Sequence, residues 1–139
     1  AMREAERYPG PSQILAYSHC IAHGIDMKYG MRQQREAVAS GHWPLLRYNP
    51  VLRDEGLNPF LLDSQRPSKP LSAFAEREVR YRVLRSTNPD GADALMRAAQ
   101  EDVNVRWGLY EEMAGRGDAA FRFTRATAPA AAAATEDAS

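Results

Sequence analysis

The sequence predicts an α/β protein, and three observations carry that reading. SQILAYS is a short apolar run with β-branched and aromatic members, bounded by turn residues. HWPLLRYNP holds a second such run between prolines. Two later stretches place apolar residues at helical spacing, the first at Phe74, Val79 and Val83, the second at Leu95, Ala99, Val103, Trp107 and Tyr110.

Taken in order, AMREAER reads as the last turns of a helix, stopped by Pro9, Gly10 and Pro11. Because the first residue is Ala1 and not Met, this opening suggests an interior cut in a longer chain. Gln13 to Ser18 is expected to be a buried strand, so that AYSHCIAHG, Ala16 to Gly24, straddles its C-terminal end, where open α/β sheets bind ligands. Gly24 and Gly30 bracket a loop, and MRQQREAVAS follows as a solvent-facing helix with a thin stripe of Met31 and Val38 and with Gly41 at its C-terminal cap. The next run sets Leu46 and Tyr48 on one face against Leu45 and Arg47 on the other, as in an edge strand.

Prolines at 50, 59, 67 and 70, with Gly56 between them, argue for irregular chain whose one apolar knot is NPFLLDS. A loop of that length usually wraps over a neighbouring surface. Ser72 is placed to cap a helix running through Phe74, Val79 and Val83. Asn88, Pro89 and Asp90 then supply the cap, the first-turn proline and the dipole-matched charge of a last helix ending near Gly115. The low-complexity stretch TAPAAAAATEDAS reads as a disordered tail, dividing the chain into 1–116 and 117–139.

At 139 residues there is room for one domain with a modest core. Eighteen basic residues balance eighteen acidic ones, which gives no field to attract nucleic acid or an anionic membrane. One cysteine closes no intrachain disulfide and holds no iron-sulfur cluster, and it fits the reducing cytoplasm. No apolar run approaches the roughly 20 residues of a membrane span, and AMREAERYPG lacks the apolar centre of a signal peptide.

Chemistry-bearing residues gather around Cys20, with His19 beside it and His23 three residues on. Three uses stand open. His19, Cys20, His23 and His42 include ligand types that zinc prefers, although adjacent His19 and Cys20 rarely converge on one ion. A Cys–His nucleophile needs a base to make the thiolate, and the spacing implies no orienting carboxylate. Otherwise Cys20 is a small buried hydrophobe beside the sheet. Glu76 with Glu78, and Glu111 with Glu112, read as solvated charge offset by Arg77, Arg80 and Arg82. Gly24 and Gly30 form neither a dinucleotide nor a Walker pattern. The residues alone assign no catalytic group and no metal ligand, and they leave a ligand edge at Ser18 to Gly24.

Read together, GPSQILAYSHCIAHG, SGHWPLLRYNP, NPFLLDS, and AQEDVNVRW with LYE resemble, in this order, the C-terminal part of the thiamine diphosphate-binding domain of pyruvate:ferredoxin (flavodoxin) oxidoreductases. The resemblance covers Gly10 to about Glu112. It implies a C-terminal fragment of a thiamine diphosphate-binding fold, with the last strands of its sheet and the closing helices. It also implies a whole enzyme that binds thiamine diphosphate with Mg²⁺, carries iron-sulfur clusters, decarboxylates pyruvate, delivers the acetyl group to coenzyme A and passes electrons to ferredoxin or flavodoxin. That enzyme is expected to be a cytoplasmic homodimer engaging neither nucleic acid nor membrane.

The family's Gly-Asp-Gly Mg²⁺ motif and Thr-Gly-Gly loop are not in this sequence. The resemblance therefore implies that Ser18, His19, Cys20 and His23 stand at the rim of the cofactor site, in a positioning role, and that the chain alone is inactive. Trp43, Phe60 and Trp107 are expected as anchors buried against neighbouring parts of the enzyme. The alternative is a free-standing, non-catalytic interaction module derived from that domain.

Overall fold

The computed structural model describes residues 1–116. The expected low-complexity tail, 117–139, lies outside the described residues.

Helix α1, Met2–Arg7, ends where Pro9 and Gly10 forbid continuation. From Pro11 to Cys20 the backbone is neither helical, turned nor bent, and it joins no sheet. The expected buried strand at Gln13–Ser18 is thus corrected: Ile14 is 51% exposed and Leu15 73% exposed, and among the described residues no second strand lies against them. Two 3₁₀ turns, Ile21–His23 and Met27–Tyr29, then lead into α2, Gly30–Ala39.

Helix α2 does not present a thin apolar stripe. Met31 is exposed, and the buried face is Gln33, Glu36, Ala37 and Ser40, at helical spacing but largely polar. Burial of Glu36 is compensated by Lys69, whose ammonium donates to both carboxylate oxygens at 2.9 and 2.8 Å and holds the acid below its ordinary range. The helix ends as its glycine predicts. Gly41 takes φ +72° and donates from its N–H to the Val38 carbonyl at 3.0 Å.

Strand β1, Leu46–Tyr48, falls in the predicted edge run. Its partner arises where irregular chain was expected: β2, Phe60–Leu62, pairs antiparallel in the register Leu46 with Leu62, Arg47 with Leu61 and Tyr48 with Phe60. Between them α3, Pro50–Asp54, starts on Asn49, whose side chain accepts from the Val51 N–H, with Pro50 at the first helical position. Arg47 fastens this ribbon to α1. It donates to Asp63 at 2.6 and 2.7 Å and to Glu4 at 2.6 Å, holding both acids below their ordinary range.

The first closing helix is two. Helix α4, Leu71–Ala75, is entered from Pro70, not capped by Ser72, and α5, Val79–Thr87, begins after a break at Glu76–Glu78. Phe74 is fully buried, whereas Val79 and Val83 are exposed. The last helix follows its signals. In α6, Pro89–Gly115, the Asn88 side chain accepts from the Gly91 N–H at 3.0 Å, Pro89 opens the first turn and Asp90 lies in it.

The core joins Ala37 of α2, Leu71, Phe74 and Ala75 of α4 and Val103 of α6, with Tyr17, Trp43 and Met96 packed against it. Phe60 and Trp107, each 5% exposed, are buried within the described chain itself, not kept for a neighbour. The surface left apolar is elsewhere, at Ile14, Leu15, Ile21 and Leu46, among others.

Gly41 is the tightest test of this packing, because a Cβ there would lie 2.7 Å from Pro67 Cγ and 2.9 Å from Val103 Cγ1 in a left-handed backbone. Gly41→Ala is expected to cost about 2 kcal/mol or more, read as a lower urea midpoint. An unchanged midpoint contradicts this packing.

Candidate functional site

Ser18 to Gly24 forms a loop docked on α2 and on the start of α5, with His19 tied to α2 and His23 turned towards Glu78. His19 places Nδ1 3.0 Å from the Gln34 amide nitrogen, while its ring lies on Gly30, where any Cβ would run into it. Gln34 also donates to the Tyr17 carbonyl at 3.3 Å, so one side chain of α2 holds the start of the loop. The Val79 N–H donates to the Gly24 carbonyl at 3.3 Å and fixes its end on α5.

The outward groups are different. The Ser18 hydroxyl donates to the His19 carbonyl at 3.1 Å within its own loop. Cys20 is exposed, not the small buried hydrophobe of one reading, and its Sγ accepts from the Ala22 N–H at 3.4 Å to cap the 3₁₀ turn. Ile21, beside it, is 72% exposed.

Beneath the loop sits the group that sequence patterning misassigned. Glu78 is fully buried at the break between α4 and α5, whereas Glu76 is exposed as expected. Arg80 Nε donates to Glu78 Oε2 at 2.6 Å, and Gln33 Nε2 donates to Oε1 at 3.2 Å and to the Phe74 carbonyl at 3.3 Å. His23 Nδ1 stands 4.0 Å from Oε2, beyond hydrogen-bond length. Burial first, and then the Glu78 charge, raise the Tyr17 phenol above its ordinary range. The Tyr17 hydroxyl, His23 Nδ1 and Gln33 Oε1 are all buried without a hydrogen-bond partner among the described residues.

This arrangement turns His23 towards a buried carboxylate. It supports a neutralised polar hub that positions the loop from below, with Ser18, Cys20 and Ile21 presented above. The expected metal-type residues are not brought together. His42 stacks on Phe74 at 4.2 Å between ring centroids, and among the described residues no three of His, Cys, Asp and Glu are grouped to hold an ion. Sequence reasoning missed Tyr17, Gln33, Glu78 and Arg80 as one cluster. The available signal was the spacing of Gln33, Glu36, Ala37 and Ser40, a helical face whose polarity hid its burial.

A separate groove of about 420 Å³ runs between α4–α5 and α6, lined by His42, Leu71, Tyr81, Met96 and Val103 among others. Burial first, and then the Arg106 charge, hold the His42 imidazole below its ordinary value of 6.5. Among the described residues no helix is long and apolar enough to cross a membrane.

Two predictions follow from the titrating groups and the hub. The unfolded chain takes up a proton at His42 before the folded one does, so its contribution to stability is complete above pH 6.5 and is lost as pH falls from there to the folded value. Glu4, Glu36 and Asp63 are depressed, so their contribution is lost only lower, below their ordinary values of 4.5, 4.5 and 3.8. Urea midpoints against pH should therefore fall in two stages, and His42→Phe should flatten the first; an unaltered first stage refutes the assignment. Glu78→Ala is expected to lower stability by about 1–3 kcal/mol and to speed amide exchange over residues 18–24. Unchanged exchange in that loop contradicts its dependence on Glu78.

No protein-family model matches the chain. It is similar to a pyruvate-flavodoxin oxidoreductase of Trichormus variabilis, 48% identical over 116 residues, and to one of Nostoc sp., 46% identical over 116 residues. A pyruvate:ferredoxin oxidoreductase of Moorella thermoacetica is 45% identical over 114 residues. These matches take in 84%, 84% and 82% of this chain and 10% of each relative, so the chain spans about a tenth of the length of the curated relatives it matches.

Proposed function

We propose, from the premise that this chain is homologous to one segment of the pyruvate-flavodoxin and pyruvate:ferredoxin oxidoreductases, that it works as part of such an enzyme and completes its cofactor domain. The reaction of the whole is the oxidative decarboxylation of pyruvate to acetyl-coenzyme A, with electrons passed to flavodoxin or ferredoxin. The observation that carries the reading is identity of nearly half the residues across 84% of the chain, over only 10% of the relatives' length. A physical observation supports it: Ile14, Leu15, Ile21 and Leu46 remain exposed on a chain that otherwise buries its aromatic anchors.

The thiamine-binding assignment is tested by the donors at hand. Mg²⁺ takes oxygen ligands in near-octahedral array. The loop at Ser18–His23 offers one hydroxyl, already donating to its own backbone, a thiol and two imidazoles turned inward. This set does not fit a Mg²⁺ diphosphate site. The principal ligands, and the iron-sulfur clusters, are assigned to the rest of the polypeptide. Ser18, His19, Cys20 and His23 are proposed as rim residues, with His19 tying the loop to α2, His23 facing Glu78 beneath it and Ser18 and Cys20 on its exposed side.

The test is complementation. The chain alone is expected to give no pyruvate-dependent flavodoxin reduction, and mixing it with the Nostoc relative lacking the matched segment is expected to restore it. Activity of the chain by itself, or a mixture that binds neither pyruvate nor this chain, overturns the reading.

A further inference from the structure

The backbone holds His23 over Glu78 from both sides. Gly24 takes φ +73°, and a Cβ there would run into Val79 Cβ, so the residue after His23 is pressed against the residue after Glu78. The Val79 N–H donates to the Gly24 carbonyl at 3.3 Å, and the His23 N–H donates to the Cys20 carbonyl at 3.0 Å within the 3₁₀ turn. The imidazole is left little choice of direction.

Its two ring nitrogens meet different surroundings. Nδ1 is buried without a hydrogen-bond partner among the described residues and faces Glu78 Oε2 at 4.0 Å. Nε2 is not enclosed in this way: the side chain keeps 34% of its surface exposed, and with Nδ1 shut in, that exposure belongs to the far edge of the ring. Glu78 Oε2 accepts from Arg80 Nε at 2.6 Å and Oε1 accepts from Gln33 Nε2 at 3.2 Å, so both oxygens are already set as acceptors. A lone pair on Nδ1 would point at acceptor oxygen and be repelled, whereas a proton there is attracted. The neutral ring therefore carries its proton on Nδ1 and its lone pair on Nε2.

We infer that Glu78 is a positioning residue for the reaction of the whole enzyme: acting through His23, it fixes the ring proton on Nδ1 and presents Nε2 as a hydrogen-bond acceptor to a proton-bearing group of the species bound at the rim. The inference rests on the reading under Proposed function. A carboxylate behind an imidazole sets its tautomer and orientation, which is how histidines are readied to accept a proton at the opposite nitrogen. The class of group that Nε2 takes is thus a donor, an O–H, N–H or S–H, and not an anion, which its lone pair would repel.

The test reads the tautomer and the reaction separately. Heteronuclear NMR of the imidazole nitrogens of this chain, at mildly alkaline pH, is expected to show His23 protonated at Nδ1, the reverse of the preference of free histidine, and Glu78→Gln is expected to move the ring back towards the Nε2-protonated form. In the mixture with the Nostoc relative lacking the matched segment, His23→Asn keeps an amide where Nδ1 lies but nothing at Nε2, and is expected to lower kcat for pyruvate-dependent flavodoxin reduction by about tenfold or more. His23→Gln, which places its amide where Nε2 lies, is expected to lose less. A purely structural role reverses that order, because only Asn supplies the inward donor. The reversed order, or a wild-type ring protonated at Nε2, overturns the inference and leaves the proposed function standing. A wild-type mixture that reduces no flavodoxin overturns the proposed function, and the acceptor role of Nε2 falls with it.

Discussion

A carboxylate with no access to water governs the arrangement of this chain. Glu78 sits where the helical path breaks between α4 and α5, and two side chains bond it, Arg80 from α5 and Gln33 from α2, while the 17–24 loop lies over it with His23 Nδ1 4.0 Å away. A buried charge of this kind contributes little net stability, yet losing its partners is costly, so it selects one arrangement over others. The break, the placement of α2 and the presentation of the loop are thus one constraint.

The same loop joins two opposite surfaces. Its underside is polar and closed on the hub, while its upper side and the strand-like run before it are open and apolar. Helix α6 carries the closed side through Val103 and Trp107, with Phe60 stacked on Tyr110 at 6.1 Å between centroids and the Asn58 amide donating to the Met113 and Ala114 carbonyls. The chain thus sets an enclosed core against open apolar surface at Ile14, Leu15, Ile21 and Leu46, which is what is proposed for a segment of a larger enzyme. Its homology to a tenth of an oxidoreductase and its surface chemistry point the same way.

Much of this was legible in the residues, for identifiable reasons. Asn88, Pro89 and Asp90 announce a helix start because each satisfies a distinct local need, and Gly41 announces a helix end because only glycine suits its backbone and its neighbours. Leu46–Tyr48 was readable as an edge strand from its flanking prolines. The four blocks resembling the oxidoreductases were readable as a set. Burial at Glu78, Gln33 and Glu36 was not, because patterning equates charge with solvent and the compensating partners come from distant sequence, Lys69 for Glu36 and Gln33 for Glu78. The SQILAYS run carries a strand's composition, but pairing is a property of two segments, and no partner for it lies among the described residues.

The central claim is that this chain presents apolar surface meant to be covered by the remainder of a larger oxidoreductase. Titration calorimetry of the chain into the Nostoc relative lacking the matched segment, repeated at several temperatures, tests it most directly. The account predicts saturable binding with a strongly negative heat-capacity change, the mark of apolar surface leaving water. Binding with a heat-capacity change near zero, or no heat of binding at any temperature, contradicts it.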